Sequence, residues 1–203
     1  MLIMMGIFIV GSCQKDEFKP SEQLSDFPRK GSVNLKGQNY NTIQYTADGL
    51  TWMTENLNYG VSDSWCYDND PANCAKYGRL YTWEAAKRAC ASLGQGWRLP
   101  TDQEWRDLAK RFGGADDDAS DGGQAAYKAM IEGGNSGFSA RLGGWRHSSG
   151  DFGNLGGNGF YWSATEFDSD FAWFYSFYRG SGELYRYSVL KSYGFSCRCV
   201  QGS

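Results

Sequence analysis

The stretch FAWFYSFYRGSGELYRY, residues 171–187, decides how this chain is read. Eight of its seventeen residues are aromatic, in a chain that is 16% aromatic overall. Side chains on a strand alternate between two faces, so a strand with one buried face needs rings only at every second position. Here they stand consecutively, at Trp173-Phe174-Tyr175 and Phe177-Tyr178. Period two sends Trp173, Tyr175 and Phe177 to a core, and Phe174, Ser176 and Tyr178 the other way. The same parity puts Leu184 inside and Tyr185 outside, with Tyr187 outside as well. Rigid rings with polar tips give large contact area at low entropic cost. The expected ligand-binding face is therefore Phe174, Ser176, Tyr178, Tyr185 and Tyr187. Arg179, Glu183 and Arg186 would add charged contacts, with Trp145 and Arg146 joining from the preceding loop. The competing expectation is that a helix covers the second face too, since small domains often sandwich a sheet.

Upstream of this stretch the period changes. Trp83, Ala86, Cys90 and Leu93 recur at intervals of three and four and stop at Gly94, which predicts a short helix. Thr101 and Glu104 form a capping box ahead of the apolar face Trp105, Leu108, Ala109 and Phe112, which Gly113-Gly114 ends. QAAYKAMIEGG reads as a third short helix. Two alternating segments around Asp48-Gly49 predict a β-hairpin, with structure beginning near Val33. After Gly133 the pattern is loops and strands. Helices followed by a strand-rich half make an α+β fold.

The chain has 203 residues and a net charge of −3. It has no basic run, which argues against nucleic acid as a partner. Its single histidine, His147, excludes any site needing two imidazoles and reads as a loop residue. The first twelve residues, MLIMMGIFIVGS, are too few to cross a bilayer, which takes roughly 20. They read as the apolar core of a signal peptide covering 1–12. Val10-Gly11-Ser12-Cys13 resembles a bacterial lipobox, which makes Cys13 the lipidation site. Several acyl chains on one cysteine anchor firmly where one alone is marginal. Residues 14–17, QKDE, resemble the export signal that sends Bacteroidetes lipoproteins to the exterior of the outer membrane. Residues 13–30 would be a tether reaching roughly 20–25 Å, and membrane contact would be through the lipid only.

An exported chain lives where disulfides persist. Beyond Cys13 it carries Cys66, Cys74, Cys90, Cys197 and Cys199, an odd number that leaves one thiol free. Cys66 and Cys74 flank the turn-rich YDNDPAN and would close it into a small loop. Cys90 reaches the last strand through either Cys197 or Cys199. That bridge would close a loop of about 110 residues, worth roughly 4–5 kcal/mol on a chain-entropy argument. ADDDASDGG offers Asp116, Asp117, Asp118 and Asp121, the hard oxygens that calcium takes. An EF-hand register fails there, because Asp121 stands where glycine is needed and Tyr127 where glutamate is needed. The segment reads as a solvated acidic loop, with no cofactor expected beyond a conceivable structural calcium.

Five blocks, LTWMTENLNY, SWCYDNDPANCAKYGRLYTWEAA, GWRLPTDQEWRDL, FYWSATE and YGFSCRCV, resemble in order the Fibrobacter succinogenes major paralogous domain. The resemblance covers a domain placed at 31–203 and implies an exported lipoprotein. GWRLPTDQEW and YWSATE…GFSCRCV are also similar to the wider C-type lectin-like group. That group includes formylglycine-generating enzymes and the variable proteins of diversity-generating retroelements. The likeness implies a C-type-lectin-like fold with two main helices, a small twisted antiparallel sheet, and long loops forming a binding face. Where relatives carry valine, this chain has Cys197. The resemblance therefore implies a Cys90–Cys199 bridge with Cys197 as a buried thiol in the valine's place. The calcium tripeptides of sugar-binding C-type lectins are missing. The oxidase resemblance would make Cys197 and Cys199 a redox pair. But residues two apart on a strand share a face, here the core side, whereas a redox cysteine should be exposed beside positive charge. Nor does a carboxylate pair for glycoside hydrolysis stand out, so the chain is not expected to be an enzyme. The function expected is a lipid-anchored, adhesion-type surface module that recognises an extracellular protein or glycan. The alternatives are a structural subunit of a surface assembly and, further off, a formylglycine-generating-type oxidase. The layout of retroelement variable proteins adds the idea that the outward positions vary between strains.

Overall fold

The computed structural model describes residues 28–46 and 49–202. The signal-peptide, lipobox and export-signal readings at residues 1–17, Cys13 among them, lie outside the described residues. Strand β1 (Arg29–Leu35) begins earlier than Val33, inside the expected tether, and turns into β2 (Gln38–Gln44). Leu35 pairs with Gln38, leaving a two-residue turn in which Lys36 and Gly37 both have positive φ. This is the backbone that a tight hairpin requires. Strand β3 (Thr51–Met53) pairs with β2 through Gln44 and Thr51. Residues 45–50 therefore separate the strands expected to meet at a two-residue Asp48-Gly49 turn, and Asp48 lies outside the described residues.

Strands β4 (Ser64–Trp65) and β5 (Leu80–Tyr81) form a small ladder. Between them stands a helix not foreseen in the sequence, α1 (Pro71–Tyr77), inside the segment expected to be a loop. Pro71 starts the helix, where its missing N–H costs nothing, and the Asp70 carboxylate accepts from the Ala72 N–H. The expected helices follow as α2 (Trp83–Ser92), α3 (Asp102–Lys110) and α4 (Gln124–Met130). The capping box on α3 is complete: Glu104 N–H donates to Thr101 Oγ1 at 3.2 Å, and Thr101 N–H donates to Glu104 Oε2 at 2.8 Å. Arg98 adds a two-pronged bond to the same carboxylate. Among the described residues there are thus four α-helices, of which the two expected main ones, α2 and α3, are the longest, and none is long and apolar enough to cross a membrane.

The second half is β6 (Gly143–Arg146), β7 (Phe152–Leu155), β8 (Asn158–Glu166), β9 (Phe171–Tyr178), β10 (Glu183–Leu190) and β11 (Val200–Gln201). They make a five-stranded sheet in the order β10-β9-β8-β6-β7, while β11 joins the first sheet as β1-β2-β3-β11. The large sheet is mixed, because β6 runs parallel to β8. Helices preceding a strand-rich half confirm the α+β class.

One face of the large sheet packs under α3 and α4. Tyr175 stacks on Trp105 of α3 at 5.0 Å, with Tyr161, Phe138 and Phe177 around them, all buried. The opposite face meets α2 and β5 through Trp162, Ala172 and Phe174, which share a cluster with Trp83, Ala86 and Cys90. Indole N–H groups fasten the layers: Trp83 donates to the Ser163 carbonyl and Trp162 to that of Tyr81, each at 2.8 Å.

The segment 195–200 joins the layers. Phe195 exchanges backbone bonds with Tyr81, and Ser196 bonds the backbone of Phe160 and Trp162. The carbonyls of Cys197 and Cys199 accept from Leu57 and Met53, and Val200 pairs with Arg98. Disulfides Cys66–Cys74 and Cys90–Cys199 are formed, and Cys197 is a buried free thiol. Arg198 is fully buried. Its guanidinium donates to Asn56 Oδ1 at 2.7 Å and to the carbonyls of Met53, Phe138 and Ser139 at 3.1, 2.8 and 2.6 Å.

The acidic loop is not the solvated turn expected from its composition. Asp118 is paired with Arg106 at 2.5 Å, which holds its carboxyl below the usual range. Asp121 accepts from Gly123 and Ala125 at the start of α4. The loop also caps the outer edge of β10: Asp116 N–H donates to the Leu184 carbonyl, Leu184 N–H to that of Gly123, and Arg186 N–H to Asp116 Oδ1. Gly123 has φ of 85°, and a Cβ there would lie 2.5 Å from the Leu184 carbonyl oxygen, so only glycine allows this approach.

Arg198→Met would leave three carbonyls and the Asn56 oxygen without a donor inside the core. We expect unfolding in urea to show a loss of about 3–5 kcal/mol. A loss below about 1 kcal/mol would mean that these acceptors find other donors.

Candidate functional site

The rings of residues 171–187 divide in a way that neither sequence expectation described alone. Phe174 and Ser176, expected to be exposed, are buried, because the Trp162 end of their face lies under α2 and β5. Beyond that cover the same face opens. Asn154, Asn158, Phe160, Phe174, Ser176, Tyr178, Tyr185 and Tyr187 line a groove of about 400 Å³. The register explains the company. Asn158 lies opposite Tyr178 and Phe160 opposite Ser176 between β8 and β9, while Tyr185 and Tyr187 lie opposite Ser176 and Phe174 between β10 and β9.

The walls are braced rings. Tyr185 and Tyr187 stack at 5.6 Å with 19° between planes, Tyr178 meets Tyr185 edge-on at 6.2 Å, and Tyr187 leans on Phe174 at 6.4 Å. Tyr178 and Tyr187 remain 44% and 50% exposed, two of the few large apolar side chains so open to solvent. The Tyr185 hydroxyl donates to Glu183, which holds that carboxyl below its usual range and raises the tyrosine.

The floor is polar. Asn158 is 6% exposed and Ser176 4%, yet neither side chain makes a hydrogen bond with a described residue. They are not among the sealed, unpartnered polar atoms of the described core, which are Tyr45 Oη and Trp97 Nε1, so their polar atoms face the groove and its solvent. Asn154, Asn158 and Phe160 were not anticipated from the sequence. GNLGGNGF reads as turn residues, and only the β8–β9 register carries them to the tyrosines.

The charged contacts expected here belong elsewhere. Arg186 projects from the opposite face of β10, where Nε and Nη2 bond both oxygens of the buried Asp102 at 2.8 and 2.6 Å. Its guanidinium also covers Trp173 at 3.5 Å and bonds Asp117. Burial works against its charge, but Asp102 prevails and raises its pKa. Arg179 is exposed in the β9–β10 turn and Glu183 stands beside Tyr185, neither lining the groove. Trp145 packs against Tyr193 and His147, and Arg146 lies 3.8 Å over Trp65, so both are occupied on β6.

Residues 37–201 match the model of the Fibrobacter succinogenes major domain. The chain belongs to this family. No curated protein and no solved structure matches it. The family match takes in all four helices, the groove and both disulfides.

Two further groupings bear on chemistry in this family member. Cys90, Cys197 and Cys199 have sulfurs within 4.8 Å of one another, but two are bridged, and burial pushes the Cys197 thiol far above its ordinary range. His147 Nδ1 lies 2.6 Å from Ser149 Oγ, and that hydroxyl donates to Asp151 at 2.6 Å. The carboxylate thus holds the hydroxyl rather than the imidazole, unlike a relay in which it orients the base.

Arg186→Ala would strand the buried Asp102, so we expect a stability loss of about 3–5 kcal/mol and no direct effect on the groove. An unchanged urea midpoint would return Arg186 to the list of ligand contacts. Cys197 should resist alkylation in the native protein and react only on unfolding, read by peptide mass spectrometry. Rapid native labelling would contradict its burial.

Proposed function

We propose that the protein is an exported, lipid-anchored surface module whose ligand site is the groove between β8, β9 and β10. The observation that carries this reading is the pair of unbonded polar side chains, Asn158 and Ser176, at the base of an opening walled by Tyr178 and Tyr187. A ligand that bonds both replaces the solvent they face in the groove and covers the exposed rings as well. The volume is of the size usual for small-ligand sites.

Export is supported by the lipobox-like Val10–Cys13 and by two disulfides, which persist only outside the reducing cytosol. A C-type-lectin-like arrangement is supported by the threading of the 195–200 segment between the sheets. Ligand capture is favoured over a structural role in an assembly. The acidic loop occupies the outer edge of β10 at Leu184 and Arg186, where a second chain would otherwise add a strand. Binding is favoured over oxidation because Cys197, the free thiol among the described residues, is sealed in the core.

The test uses intact cells carrying the full chain, probed with labelled glycans and extracellular proteins. Wild-type cells should take up a probe that the double variant Tyr178→Ala/Tyr187→Ala loses. That variant should melt normally, since exposed substitutions shift stability by within about 0.5 kcal/mol. Cys13→Ser should release the binding activity into the medium. Equal uptake by the double variant would place the ligand site elsewhere, and retention of the Cys13→Ser chain on cells would remove the lipid anchor.

A further inference from the structure

We infer that the ligand of this groove is a neutral saccharide held by ring stacking and by direct hydrogen bonds, without a metal ion. The inference rests on the groove being the binding site and concerns only what it takes.

Charge is the first argument. None of the groove's lining residues is charged. Of the two arginines of the hairpin, Arg186 is bonded to Asp102 on the opposite face, and Arg179 is exposed in the turn and is not part of the lining. An anionic ligand would meet no cation in the lining, and transfer of its charge against tyrosine rings would go uncompensated there. A sugar held through calcium would need carboxylates, and none lines the opening.

Size is the second. A stable protein–protein interface takes about 20–30 residues a side, whereas this concavity is made by a handful. A folded protein could touch Tyr178 and Tyr187 at the rim, whereas Asn158 and Ser176 are recessed in the concavity, where a ligand small enough to enter it can bond them.

Hydrogen-bonding type is the third. The Asn158 amide offers two donors and an acceptor, and the Ser176 hydroxyl offers a donor and acceptors. The Tyr178 and Tyr187 hydroxyls are also unbonded among the described residues. Donors and acceptors are therefore mixed at close quarters, beside apolar ring faces. A pyranose has the complementary form, with C–H groups on its faces and hydroxyls, each both donor and acceptor, around its rim. The tyrosines are already stacked and braced on Phe174, so little side-chain freedom is lost when a sugar settles on them.

The experiment titrates the purified full chain in detergent with cellohexaose, xylohexaose, mannohexaose and galactohexaose, with oligogalacturonate as the anionic counterpart, by calorimetry with and without EDTA. At least one neutral oligosaccharide should bind, equally in EDTA and with oligogalacturonate silent. Tyr187→Ala should weaken it more than tenfold, and Ser176→Ala several-fold, in line with the loss of one neutral hydrogen bond. Binding by the anion alone, abolished by Tyr178→Ala/Tyr187→Ala, would overturn the neutral-saccharide inference while leaving the groove as the site. Neutral binding untouched by those variants would overturn the groove itself. Loss of binding in EDTA would overturn the metal-free mode, and silence of all the neutral oligosaccharides at millimolar concentration would overturn the inference outright.

Discussion

Arg198 is fully buried and makes no ion pair with a described residue. Its charge is met by three backbone carbonyls, by the Asn56 side chain, and by the faces of Phe138 and Tyr161. Burial lowers its pKa, yet a guanidinium does not release its proton in a protein. The cation therefore has to be solvated by the fold, and the fold has to hold oxygens in place for it. Those oxygens come from the end of β3, from the turn after it, and from the loop following α4. Asn56 in turn donates to the Tyr77 carbonyl at the end of α1 and to Ser196. Segments distant in sequence are thus fixed to a single charge.

The groove follows from where that arrangement stops. Segment 195–200 inserts beside β8, and Phe195 stacks on Phe160 at 5.0 Å and lies against Phe174 at 4.9 Å. Together with α2 it covers one end of the sheet's outer face. At the other end Tyr178 and Tyr187 stay open to solvent, with Ser176 recessed between the rings. The β9–β10 hairpin can project past its cover because its opposite face is so firmly held, with Tyr175 and Arg186 both bonded to Asp102 at the start of α3. Rigid backing and an open front are what let exposed tyrosines keep a defined geometry.

Much of this was legible in the sequence because it depends on near neighbours. The capping box at Thr101, the apolar faces of α2 and α3, and the parity of 171–187 are all set within a turn or a strand. Helix α1 escaped because YDNDPAN has the composition of a turn, although Asp70 and Pro71 form the start of a helix. The family resemblance implied the choice of Cys199 over Cys197, which residue spacing left open. Long-range geometry was not legible. That Arg186 belongs to Asp102 depends on a contact across 84 positions, and that Asn158 joins the tyrosines depends on a strand register. Parity turns Arg186 inward with Leu184, and the carboxylate that accommodates its charge there, Asp102, is remote in sequence.

The place of residues 195–200 also governs the order in which the molecule can come together. Synthesis delivers a chain from its N-terminus, and contacts between remote positions wait until both partners are present. Here the last strand, the Arg198 hub and the cysteine that closes the long covalent loop all arrive late. Until they do, β3, α1, α2 and β8 lack their common attachment. Such a chain stays unfinished until that stretch has been made, and the long covalent loop closes only where disulfides can form.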